Sequence, residues 1–195
     1  TGWAVMVLKS AKMAELNVDE GAFRGSTAWV DKMTEPEFGR VGYQRRGGPP
    51  ARTTEMMEKF PADQSESLTG VGVLVRIFAG EDPQKSEYVQ KGADLMGKKP
   101  PRWDVDAGTI DFYYWYYATL AMFQVGGKHW KDWNEHMKTA IVDNQRTESG
   151  RDERGSWDPV DPWAPEGGRV YSTAVNCLCL EVYYRYGRVF GASSR

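Results

Sequence analysis

The segment from Asp111 to Val125 constrains the fold more than any other part of the chain. It reads DFYYWYYATLAMFQV and has almost no polar face. A helix that is apolar on all sides must be buried on all sides, and an amphipathic helix covers it from outside. The next segment, 128–145, has this second character, because its large apolar residues recur at helical spacing. That face carries Trp130, Trp133, Met137 and Ile141. The two segments predict an inner helix paired with an outer helix.

The same alternation recurs along the rest of the chain. Residues 2–16 predict an inner helix that is apolar on all sides over 3–8, and residues 19–33 predict its outer partner. The Val-rich segment 68–79 suits a buried strand as well as a buried helix. We assign it to an inner helix because no partner strand is evident elsewhere. Asp82-Pro83 predicts the start of the outer helix that follows, with Asp as cap and Pro in the first turn.

Residues 170–186 predict a last inner helix that ends at Gly187. The chain therefore predicts an all-α fold, an α/α toroid or an arc of one, with about three and a half inner/outer hairpins. We expect a single domain over residues 1–195. Because an open arc leaves apolar flanks at its ends, we also expect a protein partner or self-association there.

Composition excludes several classes of protein. The net charge of −2 is not that of a nucleic-acid surface, which needs a concentrated basic patch. The apolar runs are interrupted by Arg76, Asn176 and Glu181, so this segment predicts no membrane span. The chain lacks an initiating Met, and we expect it to be the C-terminal part of a longer chain. The sequence does not indicate the cellular compartment, since an export signal or membrane anchor can lie upstream of Thr1.

A turn with Gln145 followed by Gly155-Ser156-Trp157 separates the last two predicted hairpins. Together with the alternating helices, it resembles the prenyltransferase and squalene-oxidase repeat of the terpenoid cyclase and protein prenyltransferase superfamily of α/α toroids. The resemblance is closest to bacterial proteins with this repeat, covers nearly the whole chain, and is most specific over 111–186. It implies structural roles for Gln145, Gly155 and Trp157, because Gln can bond free backbone ends and Trp can seal the gap between hairpins.

The metal chemistry of that superfamily is not supported by the matching positions. Protein prenyltransferases hold zinc with an Asp, a Cys two residues later and a distant His. By the motif, Asp111 matches the Asp, Tyr113 stands at the Cys and Ser172 at the His. Zinc needs about three protein ligands, so we expect no metal and no cofactor.

The sequence contains only part of the acidic motif that cyclases of this superfamily use for catalysis. Cyclases of the hopene type protonate an alkene with an Asp-x-Asp-Asp motif, and Asp104-Val105-Asp106 resembles its first part without the last Asp. Short acidic motifs are common as caps and loop contacts. Asp104, Asp106 and Asp111 are therefore weak catalytic candidates, and we expect Asp104 or Asp106 instead to cap the inner helix or to bind loop backbone.

The aromatic run supplies the remaining candidates for a site. Tyr113, Tyr117 and Tyr171 lie near the starts of inner helices, where unpaired N–H groups favour polar ligands. They are candidate ligand-binding residues for a small apolar molecule, although aromatic residues of this kind usually pack in a core. The sequence predicts a non-catalytic binding or scaffold module. The alternatives are an isoprenoid cyclase or lyase, and a carbohydrate-binding or carbohydrate-processing toroid in which Trp157 or Trp163 is exposed.

Overall fold

The computed structural model of the protein describes residues 1–150 and 152–185. That part of the chain folds into eight α-helices and contains no strand; its β structure is one isolated bridge between Thr34 and Val41. The all-α prediction is confirmed. The helices are α1 Gly2–Met13, α2 Glu20–Met33, α3 Ser67–Phe78, α4 Glu87–Gly97, α5 Phe112–Val125, α6 Gly127–Val142, α7 Ala164–Leu180 and α8 Val182–Arg185.

Helices α3 and α5 form the centre of the molecule and pack more extensively on each other than any other pair. Nearly every residue of both helices is buried, including Tyr114, Trp115, Tyr116 and Tyr117 of α5. The segment 71–78 is helical, which resolves the choice between buried helix and buried strand. The close approach of the two helices depends on Gly70, since a Cβ there would lie 3.2 Å from the backbone nitrogen of Ala118.

Helices α2, α4 and α6 cover this centre with one apolar face each. The buried face of α6 carries Trp133, Met137, Ala140 and Ile141, as the spacing predicts for three of the four. The indole nitrogen of Trp133 donates to the hydroxyl of Thr119 on α5 at 2.9 Å, so a buried hydrogen bond joins the outer helix to the inner one.

The start of α4 differs from the prediction. The helix begins at Glu87 rather than at Asp82-Pro83. Asp82 caps a separate turn by accepting the backbone N–H of Gln84 at 2.9 Å, and Ser86 caps α4 by accepting from the backbone of Val89. A second capping residue four positions along the chain, absent from the initial interpretation, fixes the actual start.

The inner helices α1, α3, α5 and α7 follow one another in space, because each packs on the next in that order. This packing is that of an α/α arc. The two helices at its ends are only partly covered: Val7 of α1 is 67% exposed and Val170 of α7 is 83% exposed. The expectation that α1 is buried on all sides is therefore wrong, because an end helix has an inner neighbour on one side only. Tyr186 and Gly187, the predicted end of the last helix, lie outside the described residues.

Among the described residues, no helix combines the length and apolar character needed to cross a bilayer. The partner expected at the ends of the arc stays a prediction.

Candidate functional site

The amino ends of α1, α3, α5 and α7 surround one open cavity of about 470 Å³. We call it the amino-end cleft. Its walls come from the first turns of these helices and from two of the loops that precede them. It is lined by Trp3, Tyr43, Ala51, Ser67, Leu68, Tyr113, Trp163, Glu166, Gly167 and Tyr171. Five of these side chains are aromatic, which makes the walls largely apolar.

The aromatic rings of the cleft continue into the core as a connected series. Trp3 stacks on Tyr116 with ring centroids 5.6 Å apart and meets Tyr117 edge-on at 5.5 Å. Tyr113 contacts Tyr117 at 4.9 Å and Trp163 at 6.3 Å. Such offset and edge contacts hold each ring in a fixed orientation. The wall is therefore pre-formed in the folded protein.

Close backbone contacts position two of these rings. Tyr43 follows Gly42, where a Cβ would lie 1.8 Å from the carbonyl oxygen of Arg45, so this turn accepts no other residue. Gly167 packs on Tyr171, since a Cβ added at position 167 would lie 2.6 Å from the Cβ of Tyr171. Gly168 has φ +58°, and the helix α7 bends at this point. Glycine adopts such an angle without strain.

Asp111 lies at the amino end of α5 and is 2% exposed. One carboxylate oxygen accepts the backbone N–H of Tyr114 at 2.9 Å and thereby caps the helix. The other oxygen accepts from the Arg52 guanidinium at 2.6 Å and from the Ser65 hydroxyl at 2.8 Å. Because the Arg52 side chain is itself 2% exposed, this is a buried ion pair. The partners of Asp111 satisfy both oxygens and leave it a structural role in this state.

Asp161 is a second buried carboxyl beside the cleft, 1% exposed. It accepts the backbone N–H groups of Phe112 and Trp163, each at 3.2 Å. Within the described part of the chain no Lys or Arg nitrogen lies within ion-pair distance of it. Burial raises the pKa of Asp161 to about 7, and the nearby charge of Asp111 adds to the rise. Asp161 is therefore partly protonated around neutral pH.

Two of the three predicted ligand-binding tyrosines, Tyr113 and Tyr171, line the cleft. Tyr117 is fully buried behind them, where its ring contacts those of Tyr113 and Trp3. Burial raises the pKa of both Tyr113 and Tyr171 above the ordinary value for a phenol. Both hydroxyls are therefore protonated around neutral pH.

The weak acid candidates Asp104 and Asp106 lie apart from the cleft, in the turn before α5. Asp104 accepts the backbone N–H of Ala107 at 2.9 Å and pairs with Arg102 at 2.8 Å. Asp106 is exposed. Asp104 thus binds loop backbone, as a short acidic motif in a turn commonly does.

The turn formed by Gln145, Gly155 and Trp157 joins α6 to α7. The Gln145 amide donates to the carbonyl oxygen of Gly155 at 2.8 Å. Trp157 is 1% exposed, and its indole nitrogen donates to the carbonyl oxygen of Ile141 near the end of α6 at 2.6 Å. A side chain this buried offers no face for stacking a sugar, whereas Trp163 lies at the cleft.

No cluster of three or more His, Cys, Asp or Glu side chains among the described residues has the arrangement of a metal site. His129 pairs with Asp94 at 2.8 Å on the outer surface. No protein-family model, curated protein or solved structure matches this chain.

Several site residues were not identified from the sequence, namely Trp3, Tyr43, Arg52 and Asp161. For Asp161 a signal was present: Asp161-Pro162, with Pro165 shortly after, has the pattern of a capped helix start. Arg52 gave none, because its partner Asp111 is 59 positions away.

Proposed function

We propose that this protein is a binding module that holds a small, largely apolar molecule in the amino-end cleft. The observation that supports the proposal is the set of pre-oriented aromatic rings around an open cavity of about 470 Å³. Ligand sites are commonly concave, apolar and of roughly 300–1,000 Å³, with a few polar groups that orient the ligand.

The neighbouring cavity has a different chemical character. It measures about 370 Å³ and is lined by charged residues that include Arg40, Arg45 and Glu66. Arg40 and Lys99 both pair with the buried Glu66 carboxylate, at 2.7 and 2.9 Å. Burial opposes the charge on Glu66, but these hydrogen bonds outweigh it and lower its pKa. Arg40, Lys99 and Glu66 are thus already paired with one another. The apolar cleft is therefore the better candidate for a ligand site.

We also propose that the arc is related to the α/α toroids of the terpenoid cyclase superfamily. Three features support this relationship: the alternation of buried and amphipathic helices, the Gln145–Gly155 hydrogen bond, and the burial of Trp157. The module is proposed to be non-catalytic because Asp104 and Asp106 lie away from the cleft and Asp111 is paired with Arg52.

One observation favours a second candidate, an acid-catalysed cyclase or lyase acting on an isoprenoid. Asp161 is a buried carboxyl whose pKa lies at about 7. Such a group can hold a proton near neutral pH and deliver it to a substrate. Turnover of a linear polyprenol that is lost in Asp161→Asn would favour this candidate over a binding module.

Fluorescence titration with Nile red, a flat apolar dye, tests the proposed function. We expect saturable binding with a blue-shifted emission. Leu68→Asp places a charge in the cleft wall and should weaken binding at least about tenfold, because burying an unpaired carboxylate is unfavourable.

Leu16→Asp is the matched control, since Leu16 is 63% exposed and lies outside the cleft. Leu16→Asp should unfold at a temperature close to that of the wild type. Because Leu68 packs partly against the core, circular dichroism must show that Leu68→Asp is folded at the titration temperature. Equal dye affinity in the Leu68 and Leu16 variants, or no saturable binding to the wild type, would contradict the proposal.

A further inference from the structure

Two buried hydrogen-bond donors at the amino-end cleft are unpaired. They are the hydroxyl of Tyr171 and the indole Nε1–H of Trp163. Both side chains line the cleft. Neither donor has a hydrogen-bond partner among residues 1–150 and 152–185. Buried polar groups are nearly always paired, so a buried donor without a partner needs a specific explanation.

The other buried indole donors show that this protein pairs such groups elsewhere. Trp133 donates to Thr119 at 2.9 Å and Trp157 donates to the Ile141 carbonyl at 2.6 Å. Trp163 differs from them in lying at the cleft. Arg52 Nε and Asn176 Oδ1 are also buried without a partner among the described residues. Trp163 Nε1 and the Tyr171 hydroxyl differ from these atoms because both belong to residues that line one cavity.

The chemistry of the two groups defines what pairs with them. An indole N–H donates and cannot accept. Burial, with the nearby carboxyl of Asp161 adding to it, raises the pKa of Tyr171, so its hydroxyl keeps its proton. Both groups therefore need an acceptor atom. Because the Nε1 and hydroxyl atoms are themselves buried, a ligand in the cleft reaches them after the two side chains rotate. Glu166 is the charged residue among those that line the cleft, and its negative charge disfavours an anionic acceptor.

We infer that the amino-end cleft selects a flat apolar ligand that carries a neutral acceptor oxygen, such as a ketone, quinone, ester or ether, bound by Tyr171 and Trp163. The inference rests on the proposed function, since the apolar walls supply the affinity and the two donors supply the selectivity. A carboxylate or phosphate of the same shape binds less well. A pure hydrocarbon leaves both donors unpaired.

Isothermal titration with two matched probes tests this selectivity. 2-Acetylnaphthalene and 2-ethylnaphthalene have nearly the same shape and differ in one carbonyl oxygen. We expect the ketone to bind at least about tenfold more tightly to the wild type, which is the effect of one to two hydrogen bonds. We expect 2-naphthoate to bind less tightly than the ketone.

Tyr171→Phe removes a hydroxyl that has no partner in the described protein, so the fold should keep its stability. In this variant and in Trp163→Phe, the preference for the ketone should fall by about threefold or more while 2-ethylnaphthalene still binds. Tyr184→Phe is the control, because Tyr184 is 90% exposed and its removal should leave the preference unchanged.

The outcomes separate the two proposals. Equal affinity of the wild type for the two probes, or a preference that persists in both Tyr171→Phe and Trp163→Phe, overturns the selectivity while the cleft remains a binding site. Failure of both probes to bind the wild type removes the binding function and with it the selectivity.

Discussion

Replacement of Trp157 by Ala should destabilise the protein strongly. Trp157 is 1% exposed and lies between the end of α6 and the helix α7. Its indole donates to the Ile141 carbonyl at 2.6 Å, and its backbone N–H donates to the Thr173 hydroxyl at 3.4 Å. Trp157 thus connects two helices of the arc, α6 through its indole and α7 through its backbone N–H. Only the indole contacts are removed by the substitution.

The size of the effect follows from these contacts. Truncating a fully buried Trp to Ala lowers the free energy of unfolding by about 3–5 kcal/mol, because apolar burial is lost and a cavity remains. Trp157→Phe keeps most of the burial and removes the donor. The Ile141 carbonyl still accepts the backbone N–H of Asn144 at 3.3 Å. This variant should therefore lose only about 1–2 kcal/mol.

Urea unfolding followed by far-UV circular dichroism measures both effects. Phe38→Ala is the control for loss of an aromatic ring at the surface, since Phe38 is 59% exposed and its removal should change the free energy of unfolding by less than about 0.5 kcal/mol. If Trp157→Ala unfolds at the wild-type urea concentration, Trp157 does not hold the two helices together.

Two further predictions concern the buried charges. Burial and the charge of Asp111 raise the pKa of Asp161 from 3.8 to about 7. Between these two pH values the folded state binds a proton that the unfolded state releases. The free energy of unfolding should therefore fall by up to about 4 kcal/mol as pH rises from about 4 to about 7. Asp161→Asn should flatten that pH dependence in urea unfolding, and an unchanged slope would refute the assignment. Arg52→Met leaves the Asp111 carboxylate buried without its cation and should cost about 3–5 kcal/mol. The double variant with Asp111→Asn should recover part of this loss; no recovery would show that the charge of Asp111 is not what destabilises the single variant.

The sequence predicted the helices whose surroundings follow from their own residues. The run Phe112 to Tyr117 requires burial on all sides, and α5 has such burial. The amphipathic spacing of α6 also predicted its buried face. Helix α1 is equally apolar over residues 3–8, yet its Val7 is exposed. The difference arises because α5 lies at the centre of the arc and α1 at its end. The local sequence does not show where a helix lies in the arc, since that depends on the whole fold.

The candidate site, too, could be predicted only in part from the sequence. Tyr113 and Tyr171 could be predicted because they stand near the starts of inner helices. Trp3 and Tyr43 join them only through packing of segments distant in sequence. The partner of Asp111 is Arg52 from a loop 59 positions earlier, and no local pattern indicates that ion pair.

The ¹H–¹⁵N spectrum of the indole groups tests the location of the binding site most directly. The chain has eight Trp residues, so each can be followed separately. On addition of 2-acetylnaphthalene, we predict shifts of the Trp163 and Trp3 signals, which belong to the cleft, with the Trp157 and Trp133 signals unchanged. Saturable shifts confined to Trp157 or Trp133, or no shift of Trp163 at saturating ligand, would contradict a site at the amino ends of the inner helices.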